Sequence, residues 1–450
     1  MKRSGAATAA AKKKSGAAPV ARLLSKWDDI HRDWVANVTR IYGRTNFHRI
    51  FDVVAHSAIG FKFQGNPVTR GWVEAMIAGD TKCGKSEVAE KLSSFFGIQA
   101  PLNAESATLA GIVGGVKEVG GKWSIQWGWL PRLDRRMATI DETTGLPVEH
   151  IGQMSGMRSS GVATVTKIES EKAKARVRKL WLSNPRSDRN RRVVTYPYGV
   201  MVFPEIMGRS EDISRFDVAT VASSESVPLE LLNAKVRESV KHVYTSEAAK
   251  ALLHWVWSRK PENIVWRPGA ESAVVDVATK QSRVYSSAIP LVEPGEQRFR
   301  VARIAVALAC RFHSTDAQGD RVLVGPEHVA LGERFMADCF DDPITGYRAY
   351  SVSRQGAGQE GLKDEEVKAI LTALEKYPNL GVVLDAVTMS DDLTKIPVLD
   401  WGKQAQFMAD LASLGLLEAG EGRMHKTKRF ISFYRAARAN IGNGPAKERF

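Results

Sequence analysis

The sequence predicts an α/β fold built around a phosphate-binding loop, followed by a helical region and a small C-terminal domain. Three observations carry this. The string GDTKCGKS at 79–86 fits the spacing GxxxxGK[ST]. The apolar run VEAMIA at 73–78 precedes it and the amphipathic EVAEKLSSFFG follows it, the strand and helix that such a loop joins. A second apolar run, RMATI, ends in two acids, Asp141 and Glu142.

The chain has 450 residues, 44% apolar and 25% charged, a globular composition with room for two or three domains. No apolar run approaches the roughly 20 residues of a membrane span. The three cysteines, Cys83, Cys310 and Cys339, are far apart. That excludes a disulfide framework and a CxxC zinc site, and it points to a reducing compartment. A net charge of +14 favours a polyanionic partner, most often nucleic acid. Residues 1–27 hold seven Lys or Arg and no acid among Ala, Gly and Ser, and are expected to form a disordered basic arm. The arm lacks the apolar segment of a secretory signal. A cytoplasmic location is expected, with a mitochondrial transit peptide as the alternative.

The remaining elements follow in order. Residues 28–60 read as helical, with Ile30, Trp34, Val38 and Ile41, and Trp27 just before them, at helical spacing. After the loop, the helix should close at Gly97. The stretch GGVKEVGGKWSIQWGWL alternates like a strand pair. Residues 162–183 read as a hairpin leading into the strand VRKLWLS, and 197–203 and 216–222 as two more strands. From 228 to 340 the pattern is helical. Residues 341–361 are turn- and glycine-rich, as a linker would be. The last 75 or so residues read as three helices and a strand pair, the order of a winged helix. The expected divisions are an arm 1–27, an α/β core 28–225, a helical lid 226–340, a linker 341–361, a winged helix 362–437 and a tail 438–450.

The loop's chemistry explains its spacing. Glycines such as Gly79 and Gly84 let backbone N–H groups converge on phosphates, and the following helix N-terminus adds its positive end. Lys85 would bridge the β- and γ-phosphates of ATP, and Ser86 would ligate Mg²⁺. Asp80, Thr81, Lys82, Cys83 and Glu87 complete the expected nucleotide contacts. Hydrolysis needs a second strand ending in an acid, expected beside the first. Asp141 would hold the Mg²⁺ hydration shell and Glu142 would polarise the attacking water.

With these parts in order, the chain resembles the AAA+ module of minichromosome maintenance (MCM) replicative helicases over roughly 40–340. The matching strings are IYG at 41–43, GDTKCGKS, SATLAGIVGG followed by KWSIQWGWLPRLDRRMATIDE, ATVTK at 163–167, ARVRKLWLSNP at 175–185 and SRFD at 214–217. The resemblance implies an AAA+ fold with helix-2 and pre-sensor-1 hairpin inserts. It places Tyr42 at the mouth of the nucleotide pocket. Asn184 becomes the sensor-1 residue orienting the lytic water. Arg215 becomes an arginine finger reaching the neighbouring subunit's ATP, a contact worth about 10³–10⁵ in rate. The sensor-2 residue is Arg298, with Arg300 and Arg303 as close alternatives.

Two hairpins would face a ring channel and grip DNA phosphate without reading sequence. They carry Lys167, Lys172 and Lys174 on one, and Lys117 and Lys122 on the other. Arg423, Lys426 and Lys428 lie on the wing. The family's N-terminal OB and zinc domain has no counterpart in the roughly 40 residues before IYG, so a compact phage or mobile-element form is expected. The implied activity is that of an ATP-driven hexameric ring acting as DNA helicase or translocase in replication, alongside an initiator, primase or polymerase. Two other readings are a replication initiator or helicase loader, and a protein remodeller of the MoxR or chelatase type.

Overall fold

The structure of the protein is a computed structural model. It describes residues 4–166, 170–186, 192–233, 239–359, 364–390, 393, 396, 398–420, 423–427, 429–430, 432–434 and 437. The chain divides into two compact units, Met1–Ser351 and Val352–Phe450.

The first unit opens with helix α1 (Ser4–Asp33), which continues into a π-helical segment at Trp34–Thr39 and stops where Arg40 takes a φ of 58°. The expected disordered arm over 1–27 is therefore corrected: from Ser4 onward the chain is helical. Alanine is the strongest helix former, and the alanine-rich stretch extends a helix anchored further on by buried Trp27, Ile30 and Trp34. The anchor is Asp52 of helix α2 (Thr45–Ala55), fully buried, which accepts from Trp27 Nε1 at 2.7 Å and Arg311 Nε at 2.9 Å.

Strand β1 (Glu74–Gly79) leads through the loop into α3 (Lys85–Phe96), which closes at Gly97 with a φ of 64°. Next come β2 (Leu102–Asn103), the hairpin β3 (Gly114–Val119) and β4 (Lys122–Trp127), and β5 (Met137–Asp141). Helices α4 (Val148–Gln153) and α5 (Ser155–Ser160) then lead to the hairpin β6 (Val162–Thr166) and β7 (Ser170–Lys174), and to β8 (Arg178–Ser183). A helix α6 (Val202–Met207) precedes β9 (Val218–Ala222). Five of these strands form one parallel sheet in the order β9-β1-β8-β5-β2. Strands β1 and β8 are buried on both faces, which is why their middles, AMIA and LWL, are apolar without alternation.

This order corrects one expectation. The acid-ended strand is not beside the loop strand, because β8 lies between them. A second correction concerns 197–203, expected as a strand. It folds as a 3-10 turn at Gly199–Met201 and then α6. Val200, Val202, Phe203, Ile206 and Met207 are all buried, and a short apolar run buried on all sides has no period to separate helix from strand.

The helical region holds α7 (Ser246–Ser258), α8 (Ala270–Tyr285), α9 (Gln297–Arg311) and α10 (Pro326–Phe340). At its start only Leu229–Leu232 is helical, and 234–238 lie outside the described residues. The expected linker 341–361 is also corrected: helix α11 (Tyr347–Gln359) occupies most of it. Tyr347 is buried, stacked on Tyr285, and its hydroxyl donates to Ile289 O at 2.8 Å. That aromatic anchor outweighs the local glycines.

At the N-terminal end of the sheet lies a buried ionic cluster. Glu74, the first residue of β1, accepts from Arg158 Nε at 2.6 Å and Trp181 Nε1 at 2.9 Å. Arg158 also donates to Asp212 Oδ1 at 3.0 Å and to Asp212 O at 2.9 Å. Asp217 accepts from Arg303 and from the Glu74 N–H. Burial alone would raise the Glu74 carboxyl, but Arg158, Lys179 and Arg70 hold it below the usual Glu range. Removing one partner of such a cluster strands a buried charge. Arg158→Ala is therefore expected to destabilise the first unit by about 3–5 kcal/mol in chemical denaturation. A loss below about 1 kcal/mol, the scale of an exposed pair, would contradict this account.

The second unit has its own core, with Val367, Leu374, Val383, Phe407, Leu411 and Phe430 buried together. Its elements are α12 (Asp364–Leu374), α13 (Leu380–Met389), α14 (Trp401–Ser413) and the antiparallel pair β10 (Leu417–Gly420) and β11 (Arg423–Lys426). Residues 352–450 hold fourteen Lys and Arg against thirteen Asp and Glu, a balance of +1. Nearly all of the chain's +14 therefore belongs to the first unit. Among the described residues, no helix is long and apolar enough to cross a membrane.

Candidate nucleotide-binding site

The loop after β1 sits at the C-terminal edge of the parallel sheet, where α/β folds bind ligands. Two glycines are required there by space. A Cβ on Gly79 would come within 2.4 Å of Ala222 O, and one on Gly84 (φ 86°) within 2.8 Å of Ile41 Cγ2. Lys82 also takes a left-handed φ, of 63°. A cavity of about 490 Å³ opens over the loop, within the roughly 300–1,000 Å³ of small-molecule sites. Thr81 to Glu87 form one side of it, and Tyr42, Glu142 and Asn184 stand on the other walls.

Lys85 is buried, and its Nζ donates to Gly79 O (2.9 Å), Asp80 O (2.8 Å) and Asn184 Oδ1 (2.8 Å). Asn184 Nδ2 in turn donates to Glu142 Oε2 at 3.1 Å. The intervening β8 creates this chain. It ends at Ser183, opposite Ala78 of β1, so the next residue falls between the lysine of one strand-loop and the acid of the other. Glu142 is held at φ 49°, ψ 49°, a conformation costly for a residue with a side chain and concentrated at functional sites. Burial and then neighbouring Asp141 push its carboxyl up, with Lys85 opposing. Such a shift moves a carboxylate toward the pKa of an effective general base.

Asp141 ends β5 and accepts the Glu142 N–H at 2.8 Å through Oδ1. Together with the Ser86 hydroxyl on the cavity wall, it supplies the hard oxygen donors that suit Mg²⁺.

The other expected contacts divide: Thr81, Lys82, Cys83 and Glu87 line the cavity. Gly79 and Asp80 are not on the cavity wall. The Asp80 carboxylate turns inward, accepting from Val193 N (2.7 Å), Ser224 N (2.9 Å) and Ser224 Oγ (3.2 Å). Burial would raise this carboxyl, but those donors hold it below the usual Asp range. Asp80 thus ties the phosphate loop to the segments that follow β8 and β9. The folded pKa is depressed, so this tie is intact above the ordinary Asp value of about 3.9 and is lost as pH falls through the lower folded value. Thr81, Lys82 and Glu87 are exposed, and Glu87 pairs with Lys91 at 2.6 Å. Cys83 is buried.

Several wall residues carry no sequence signal of their own. Arg44 donates from Nε to Cys83 O (3.1 Å), from one terminal nitrogen to Ser223 O (2.7 Å) and from the other to Ser226 Oγ (2.6 Å). It clamps the loop to the segment after β9. Arg40, Ile41, Ser224, Val227 and Leu232 also face the cavity. The arginines flanking IYG are a visible cue, but the targets of Arg44 lie about 40 and 180 residues away in sequence.

Neither Arg215 nor Arg298 reaches this cavity. Strand β9 begins beside Ala75 and ends beside Gly79, so Arg215, just before it, lies at the opposite edge of the sheet. The separation along the strand is roughly 15–20 Å. Arg215 is half-buried, and its Nε donates to Ser155 Oγ at 2.8 Å. Arg298 is exposed in the first turn of α9, its guanidinium 4.8 Å from the Phe299 ring centre. Arg300 and Arg303 are buried and bound to Leu291 O and Ser214 O, and to Asp217, respectively. Of the three sensor-2 choices, only Arg298 is accessible.

The expected DNA contacts divide. Lys117, Lys122, Lys172 and Lys174 are exposed on the two hairpins. The hairpins lie side by side, with Val165 Cγ2 3.3 Å from where a Cβ on Gly114 would stand. Lys167, Lys428 and the side chain of Arg423 lie outside the described residues. Lys426 is a correction: its Nζ donates to Val387 O (3.2 Å), Thr388 O (2.9 Å) and Ser390 O (3.0 Å). A cation there caps the C-terminal end of α13. Lys426→Ala is expected to cost about 1–2 kcal/mol of stability in denaturation of the full chain and to leave DNA affinity unchanged. Weaker DNA binding at unchanged stability would contradict the capping role. The chain matches no protein-family model and no curated protein.

Proposed function

We propose that the chain is an ATP hydrolase of AAA+ type, an MCM-like DNA helicase or translocase that works as a ring. The observation that carries the hydrolase reading is the hydrogen-bonded row Lys85–Asn184–Glu142 along one cavity. Loop backbone and Lys85 would bind the β- and γ-phosphates. Asn184 would orient a water at the γ-phosphate, and Glu142 would accept its proton. Mg²⁺ would be held by Ser86 and, through water, by Asp141, and would neutralise charge that develops on the phosphates. Arg215, on the opposite sheet edge, would serve the site of a neighbouring subunit, and exposed Arg298 would be the sensor-2 residue. The C-terminal unit, read as a winged helix, is nearly neutral, which suits a regulatory role better than polyanion binding.

The helicase reading rests on the paired basic hairpins and on the positive charge of the first unit. ATP hydrolysis measured against added single-stranded DNA tests it. Hydrolysis that rises with DNA supports the motor, and hydrolysis indifferent to DNA would favour a protein remodeller instead.

A further inference from the structure

We infer that Trp123 stacks on a base of single-stranded nucleic acid whose phosphates are held by Lys117 and Lys122 at the same hairpin tip. This rests on the DNA reading above and adds a contact to it. Trp123 is 59% exposed, whereas every other tryptophan of the first unit is buried or half-buried. Leaving an indole in water forgoes a large favourable burial, so an isolated one at a hairpin tip marks a contact surface.

The hairpin is tight. Val119 pairs with Lys122, and between them Gly120 and Gly121 take φ of 60° and 76°, the two positive values of a type I′ turn. Side chains alternate across it. Trp123, Ile125 and Trp127 share one face with Val116 and Glu118, and Lys117, Lys122 and Ser124 share the other. Along the first face, Ile125 and Trp127 are half-buried toward the base of the hairpin, and Trp123 extends past that cover. Among the described residues neither lysine has a carboxylate partner.

The two faces sort the chemistry of a single strand. The indole presents a π-face to a base, and base–aromatic stacking tolerates any sequence. Glu118, directly opposite Trp123, repels phosphate from that face, and the lysines attract it to the other. The neighbouring hairpin continues the positive charge with Lys172 and Lys174. A protein partner would not need the flanking lysines, so the charge favours nucleic acid.

The test compares two labelled 20-mers of equal charge, oligo-dT and a chain of abasic sites, by fluorescence anisotropy on the full-length protein. Trp123→Ala is expected to weaken oligo-dT binding by about 5–100-fold and to leave abasic binding unchanged, and Trp123→Phe should recover most of the loss. The double variant Lys117→Ala, Lys122→Ala should weaken both ligands and flatten the salt dependence. Unchanged oligo-dT affinity in Trp123→Ala, or equal loss on both ligands, overturns the stacking role. So does altered sedimentation of Trp123→Ala without DNA, which would assign the indole to a subunit contact. If the wild-type protein binds neither ligand, the DNA reading itself falls.

Discussion

Glu142→Gln is expected to lower ATP hydrolysis by about 10²–10⁴-fold, the range for losing a positioned general base, with nucleotide affinity nearly unchanged. The amide keeps the size of the side chain and can still bond Asn184, so the row from Lys85 survives and the phosphate loop is untouched. What is lost is the proton acceptor. The wild-type rate should also carry an acid limb. Because burial and Asp141 raise the Glu142 carboxyl, activity should fall as pH drops through a value above the ordinary Glu value of about 4.3. Steady-state hydrolysis and binding of a fluorescent nucleotide measure both quantities. A Glu142→Gln enzyme that hydrolyses ATP at the wild-type rate would show that another group takes the proton.

Arg215→Ala is expected to cost about 10³–10⁵ in rate if the guanidinium completes a neighbour's site. Its place at the far edge of the sheet excludes it from the cavity of its own chain. The fold should tolerate the change, because Arg215 is half-exposed and its side chain bonds mainly to Ser155. The mixing experiment separates a shared site from a damaged subunit. Arg215→Ala chains have an intact Glu142, and Glu142→Gln chains have an intact Arg215. Combined, they should regain part of the activity that neither has alone, at interfaces where the good acid meets the good arginine. Mixtures with no more activity than either component would contradict a shared site.

The residues that line the candidate site were largely legible because they lie in local motifs. GDTKCGKS specifies backbone geometry through glycine, lysine and serine at fixed spacing, and a strand ending in Asp141 and Glu142 is visible as an apolar run stopped by charge. The placement of β8 between β1 and β5 was not visible, since parallel strands pair over distances that no local pattern encodes. Asn184 was named from the resemblance, yet its position between Lys85 and Glu142 comes from that strand order. Asp80 and Lys426 misled for a common reason. A charge beside a phosphate loop, or on a wing, looks like a ligand contact until its hydrogen bonds are seen to close within the fold. Arg44 was missed for the converse reason, because its partners are mostly backbone carbonyls and those leave no mark on sequence. Helix α6 and helix α11 were missed because buried apolar surface and a tyrosine stack override the local period and the turn-forming residues.

On the proposed function, this site drives movement along DNA. Strand displacement on a forked duplex tests it most directly, with the purified protein given ATP, a non-hydrolysable analogue, or ATP with the Glu142→Gln variant. Strand separation is expected only for the wild-type protein with hydrolysable ATP. Wild-type protein that binds the fork and hydrolyses ATP, yet neither separates the strands nor moves along them, would contradict it.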